Sequence, residues 1–138
     1  MDTQIKGTPL VPGEATAPLL VSQEPLSFWG GYNPVSGEII DRRHPLSGQF
    51  GTSHILAIPG TRGSSTTTAV LLEAIRNGVA PAGFVVTDQD TFLTLASVVA
   101  DEMYGYVIPV LHITQDWFNN LKSGQKARIT AEGVLIIS

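Results

Sequence analysis

The sequence contains no cysteine, which excludes disulfides, thiolate nucleophiles and any cysteine-ligated zinc or iron–sulfur cluster built from this chain alone. Basic residues are also scarce: 8 Lys+Arg stand against 12 Asp+Glu, for a formal net charge of −4. Those few cations are scattered, so there is no stripe able to neutralise phosphates and nucleic acid is not expected as a partner. Long apolar runs are missing as well. Stretches such as 107–111 and 134–137 fall far short of the roughly 20 residues a membrane-crossing helix needs. The start Met1-Asp2-Thr3-Gln4 has neither a basic segment nor an apolar one behind it, and the expectation is a soluble, cytoplasmic protein without a membrane partner. Charged residues make up only 14% of the chain, against roughly a quarter in an average soluble domain. Either a Ser/Thr/Gly-rich monomer surface or a face covered by another chain accounts for this.

What is present suits one compact domain over 1–138: the chain is 43% hydrophobic, enough for a single core but not for two. From 5 to 22 the chain is rich in Thr and Val but interrupted by Pro9, Pro12 and Pro18, which predicts short strands near a sheet edge. The aromatic stretch from Leu26, the turn at Asn33-Pro34 to Gly37 and the return through Ile39-Ile40 predict a hairpin. A polar loop follows over 41–48, because Pro45 biases His44 away from helix.

The middle is more regular. Strands are predicted at 54–59, 83–87 and 107–111, with helices over 64–77, stopped by Gly78, and over 90–104, stopped by Gly105. A short helix over 114–121, capped by Thr114, and a closing hairpin of 126–130 with 132–137 complete the reading. The class is α/β, with β-rich termini around a βαβαβ middle.

The loop Gly60-Thr61-Arg62-Gly63-Ser64-Ser65-Thr66 joins the first of those strands to the first helix. Free backbone N–H groups and the positive end of the helix dipole make such a loop an anion site, and the Arg62 guanidinium adds a fork that grips a carboxylate. The spacing from Gly60 to Gly63 is too short for a Walker loop, and the lysine is missing. An ordinary capped helix start, with Ser64 and Ser65 satisfying N–H groups, is the competing reading. Arg62 is not required by a cap, however, and Thr66-Thr67-Thr68 is a poor helix opening.

The segments Glu24-Pro25-Leu26-Ser27-Phe28-Trp29-Gly30-Gly31, Ile40-Asp41-Arg42-Arg43-His44-Pro45-Leu46-Ser47-Gly48 and Arg62-Gly63-Ser64-Ser65 together resemble the swivelling-domain signature of the aconitase X family. The likeness runs on through Val70-Leu71-Leu72-Glu73-Ala74-Ile75-Arg76-Asn77-Gly78, Ala80-Pro81-Ala82 and Pro109-Val110, and is clearest over 13–110.

The resemblance implies a single swivelling β/β/α domain. It would be the small subunit of a hydro-lyase, inactive alone and working over an aconitase-like large subunit that carries an iron–sulfur cluster or metal ion. This chain itself would bind no cofactor and no metal. The implied reaction dehydrates a small anionic hydroxy acid, cis-3-hydroxy-L-proline, to a pyrroline-2-carboxylate, with mevalonate 5-phosphate as the alternative substrate.

By the same resemblance Ser64 is the catalytic base; the candidate substrate-binding residues are Arg62, by its position in the loop, with Gly63, Ser65 and Thr66 beside it, and His44 as a further candidate. The wider aconitase superfamily follows its paired serines with a carboxylate-binding arginine. Thr66 stands at that place here, which leaves the role to Arg62.

Other residues admit plainer readings. His44 either positions substrate or bonds backbone in the Asp41 turn, and its titration range suits an acid. His54 and His112 sit beside strands as edge or surface residues, and the three histidines lack metal-ligand spacing. Trp29 is a lid, a subunit contact or a core aromatic. Asp101 and Glu102 belong to a solvated face, and Asp88 and Asp90 to a turn and a cap. A noncatalytic anion-binding swivelling module is the rival from another class. As a phosphoryl carrier it would require a histidine in the glycine loop, which has none.

Overall fold

The structure is a computed structural model that describes residues 2–62 and 66–138. Its elements, in chain order, are β1 (Thr3–Lys6), β2 (Thr8–Val11), β3 (Ala15–Val21), β4 (Ile55–Ala57), α1 (Thr66–Arg76), β5 (Gly83–Val86), α2 (Thr91–Tyr104), β6 (Val110–His112), α3 (Gln115–Phe118), β7 (Lys126–Ile129) and β8 (Val134–Ile137). The strands form one sheet in the order β1-β8-β7-β3-β4-β5-β6-β2. Neighbours are parallel from β3 through β6 and antiparallel elsewhere.

The sheet's two end strands, β1 and β2, are consecutive in the chain and separated only by Gly7, so the sheet nearly closes into a barrel. Gly7 is required there: a Cβ would lie 2.5 Å from the His112 carbonyl oxygen. The βαβαβ middle is present as β4-α1-β5-α2-β6, with the parallel pairing such a unit demands.

Side-chain alternation along these strands divides the core in two. Leu56, Ile58, Phe84, Val86 and Val110 join the α1 and α2 residues Val70, Leu71, Ala74, Leu93 and Ala96 in one cluster. Ile55, Ala57, Val85 and Leu111 face the other way, against Ile5, Leu19, Ile129, Leu135 and Phe118.

Helix ends follow local chemistry. The α2 cap is Asp90, whose Oδ1 accepts from Leu93 N–H at 2.9 Å, and the helix stops at Gly105 with φ 63°. After α1, Gly78 takes φ 72°, and Val79 N–H donates back to the Ala74 carbonyl at 2.9 Å. Thr67, in the unfavourable threonine run, is 1% exposed and packs inward.

Four expectations change. Pro18 lies in β3, an interior strand, and not near an edge. Leu19 N–H points to Gln125 on the β7 side, so the N–H that Pro18 lacks would face β4, whose ladder begins only at Leu19; nothing is lost there. The third middle strand runs 110–112, because Pro109 precedes it and Val107 is exposed. The terminal helix α3 stops at Phe118, and Thr114 occupies its cap position without a side-chain capping bond.

The hairpin expected from Leu26 to Ile40 is reduced to the single bridge Tyr32↔Ile39. Its turn is where predicted, with Asn33 Oδ1 accepting from Val35 N–H at 2.9 Å. The first arm coils instead of extending: Tyr32 N–H donates to the Phe28 carbonyl, and a Cβ at Gly31 would collide with the Ser27 carbonyl oxygen.

That coiling buries Phe28 and Tyr32, stacked with centroids 5.0 Å apart, and sets Phe28 against Phe84 of β5 at 5.9 Å. The Tyr32 hydroxyl donates to the Val79 carbonyl at 2.6 Å. Burial pushes the Tyr32 phenol well above its ordinary value of 10.0, with the Thr52 hydrogen bond pulling weakly the other way. A raised folded-state value means the neutral phenol stabilises the fold fully below pH 10.0, and that contribution is lost as pH rises from there toward the folded-state value. Urea unfolding between about pH 8 and 11 should show this alkaline fall shrinking in Tyr32→Phe, which also costs about 1 kcal/mol at neutral pH. An unchanged alkaline slope in the variant would contradict the assignment.

Candidate functional site

The end of β4 is tied to its surroundings by backbone bonds. The Pro59 carbonyl accepts from Thr87 N–H at 3.2 Å and from Asp88 N–H at 2.9 Å. Thr61 forms a parallel bridge with Leu26, flanked by Leu26 N–H to the Gly60 carbonyl at 3.2 Å and Arg62 N–H to the Leu26 carbonyl at 3.1 Å. The chain is therefore extended through Thr61, and side chains at consecutive positions leave on opposite sides. Thr61 turns toward the start of α2, where its N–H and hydroxyl both donate to Asp90 Oδ2. Arg62 turns away, into a cavity.

That cavity, of about 550 Å³, is lined by Glu24, Pro25, Ser27, Asp41, Arg43, His44 and Arg62. Two of the predicted site residues, Arg62 and His44, thus come together although 18 positions separate them. Arg62 is exposed, and no ion pair holds it among the described residues. It is available to an anion.

His44 is 7% exposed and fully engaged. Its Nδ1 accepts from Leu46 N–H at 3.1 Å, which assigns the proton to Nε2, and Nε2–H donates to the Glu24 carbonyl at 3.2 Å. The ring fastens the 41–46 loop to Glu24, matching the backbone-bonding reading. It forms part of the cavity wall with no ring nitrogen left over.

Gly63, Ser64 and Ser65 lie outside the described residues. Thr66 opens α1 and is half-buried. Five cavity residues were not singled out from sequence as site residues: Pro25, Ser27 and the charged Glu24, Asp41 and Arg43. The signal was present in the ordered motifs, since the segments beginning at Glu24, Ile40 and Arg62 are the ones that meet here.

The remaining candidates stay outside the cavity. His54 Nδ1 bonds the Thr52 carbonyl and His112 Nε2 the Thr87 carbonyl, each at 2.8 Å. Trp29 is 71% exposed, which removes the core-aromatic reading; Phe28 takes that place. No group of three or more His, Cys, Asp or Glu able to hold a metal occurs among the described residues. No described helix is long and apolar enough to cross a membrane.

Comparison with known proteins places this arrangement. A family profile described as the aconitase X swivel domain matches residues 4–137. A cis-3-hydroxy-L-proline dehydratase of Hypocrea jecorina is 42% identical over 120 residues, which are 87% of this chain and 20% of that protein. The chain thus spans about a fifth of that relative's length. The phosphomevalonate dehydratase small subunit of Methanopyrus kandleri is 36% identical over 118 residues, 85% of this chain and 83% of the other. Among solved structures, the holo form of Thermococcus kodakaraensis aconitase X superposes with a TM-score of 0.88 at 29% identity, covering 99% of this chain and 98% of that one. With the fold, the ordered motifs and the profile in agreement, the chain belongs to the aconitase X family, as its swivel domain.

Proposed function

We propose that this chain is the small subunit of a hydro-lyase that dehydrates cis-3-hydroxy-L-proline to a pyrroline-2-carboxylate, with Ser64 as the base and the rest of the site on an aconitase-like large subunit. The observation that carries the substrate reading is the mixed charge of the cavity. Arg43 and Arg62 suit a carboxylate, while Glu24 and Asp41 suit a cationic ring nitrogen. A zwitterionic amino acid satisfies both signs. A phosphorylated substrate carrying several negative charges would meet two carboxylates in the same cavity, which works against it.

The identity to a hydroxyproline dehydratase supports the same choice. The second reading, mevalonate 5-phosphate as substrate, is favoured by the near-equal lengths of this chain and a phosphomevalonate dehydratase small subunit. Support for a partner comes from α2, which exposes the apolar side chains Phe92, Leu95, Val98 and Met103.

In the proposed reaction the C2 proton passes to Ser64, and the C3 hydroxyl leaves with a proton as water, forming the C2–C3 double bond that tautomerises to the pyrroline. A serine hydroxyl is a weak base in water. Its alkoxide is stabilised by the Arg62 guanidinium and by the positive end of α1, which begins two positions further on at Thr66. Departure of the hydroxyl requires an acid or Lewis acid, assigned here to the large subunit. With no cysteine, this chain offers no thiolate donor to an iron–sulfur group.

The test is turnover by the co-expressed two-subunit complex, offered cis-3-hydroxy-L-proline and mevalonate 5-phosphate separately. Pyrroline-2-carboxylate should form from the first. Turnover of the phosphate alone would overturn the reading. Loss of a charge-assisted carboxylate contact in Arg62→Ala should raise KM about 10- to 100-fold, and an unchanged KM would remove Arg62 from substrate binding.

A further inference from the structure

We infer that Asp90, the cap of α2, is a positioning residue for the site, holding Thr61 so that Arg62 is aimed into the cavity; this rests on the dehydratase reading above. A helix cap needs one side-chain oxygen, and Asp90 Oδ1 fills that need through Leu93 N–H at 2.9 Å. The second oxygen is not spent on α2. Asp90 Oδ2 accepts from both Thr61 N–H and Thr61 Oγ1–H, each at 2.5 Å, across 29 residues of sequence.

Asp90 is only 9% exposed, and among the described residues no Lys, Arg or His forms an ion pair with it. Within the described residues its carboxylate is held by the N–H and O–H donors of Leu93 and Thr61 at the start of α2, which ties it firmly to them. Gly60 allows the approach: a Cβ there would sit 3.3 Å from Asp90 Oδ2 and 3.4 Å from the Asp88 side chain.

Thr61 is gripped on both sides, by the bridge to Leu26 and by Asp90. Because neighbouring side chains of an extended segment diverge, fixing Thr61 toward α2 fixes Arg62 toward Glu24, Asp41 and His44. Asp90 does not line that cavity, so it acts through Thr61.

The decisive variant is Asp90→Ser, since serine caps a helix about as well as aspartate but cannot also reach Thr61. In the co-expressed complex it should lower kcat/KM about 100-fold through misplacement of Arg62, with the thermal unfolding midpoint of the small chain little changed. Thr61→Val, which removes the hydroxyl bond only, should lose less, and the double variant should be no worse than Asp90→Ser alone. A kcat/KM within about twofold of wild type in Asp90→Ser, or losses that multiply in the double variant, would overturn the proposal.

A readout independent of turnover separates this idea from the dehydratase reading. In the full-length small chain by itself, the Thr61 amide should be protected from hydrogen exchange and should lose at least about tenfold of that protection in Asp90→Ser. Fast Thr61 exchange in the wild type defeats the clamp whatever the substrate proves to be. Protection without turnover of either substrate defeats the dehydratase reading and leaves the clamp on Thr61 standing without the positioning role in that reaction.

Discussion

Ser64→Ala, introduced into the small chain and expressed with the large subunit, is expected to leave assembly intact and to lower kcat about 10³-fold, the scale on which a positioned general base acts. The change removes one hydroxyl and no apolar surface, so assembly of the proposed complex is not expected to suffer. Ser64 stands between Arg62, whose side chain enters the cavity, and Thr66, where α1 begins. A guanidinium and a helix start are each able to stabilise negative charge, and Ser64 lies between the two in sequence. Ser65→Ala is the comparison: it changes the neighbouring hydroxyl and should cost less than Ser64→Ala. Near wild-type turnover in the Ser64 variant would end its assignment as base, and equal losses in the two would assign the role to the pair. The isolated small chain should show no turnover at all, because the acid that releases the hydroxyl is assigned to the partner.

The largest stability effect is expected for Phe28→Ala, at about 3–5 kcal/mol. Phe28 is fully buried, stacks on Tyr32 and tilts against Phe84, joining the irregular segment after β3 to the sheet. Truncation leaves a cavity where a ring was and removes both aromatic contacts. Against a domain stability of about 5–15 kcal/mol, this brings much of the population near unfolding.

The functional consequence follows from where Phe28 sits. Ser27, Pro25 and Glu24 immediately before it line the cavity, and the Asp41 and His44 walls belong to the same segment. Activity should therefore fall along with the urea midpoint, and Phe28→Leu, which keeps most of the volume, should recover much of both. A loss under about 1 kcal/mol for the alanine variant would show that the ring does not anchor the segment.

Local signals carried far in this chain. The apolar runs and the glycines at 78 and 105 marked two helices and their stops, and both glycines adopt the left-handed backbone that this role demands. Asp90 as a cap was legible for the same reason: the chemistry lies within three residues. The placement of Arg62 at the end of β4, just ahead of α1, was likewise readable from the order of the strand, the glycines and the hydroxyl residues.

Where the reading failed, competition came from distant residues. Pro18 signalled an edge, yet β3 lies inside the sheet because its pairing passes from β7 to β4 at that position. The hairpin at 26–40 was overridden by burial of Phe28 and Tyr32, which favours a coiled path over an extended one.

Taken alone, the order of residues settles the βαβαβ middle, the Asp90 cap of α2, the glycine stops after α1 and α2 and the lack of thiolate ligands, since each depends on residue types or on neighbours a few positions apart. Folding decides the rest: that Glu24, Asp41, Arg43 and Arg62 share one cavity, that both His44 nitrogens are committed to backbone, and that Asp90 reaches back across 29 residues to Thr61. Those relations exist only once the parallel sheet brings the ends of β4 and β5 side by side and aromatic burial draws the 24–50 segment over them.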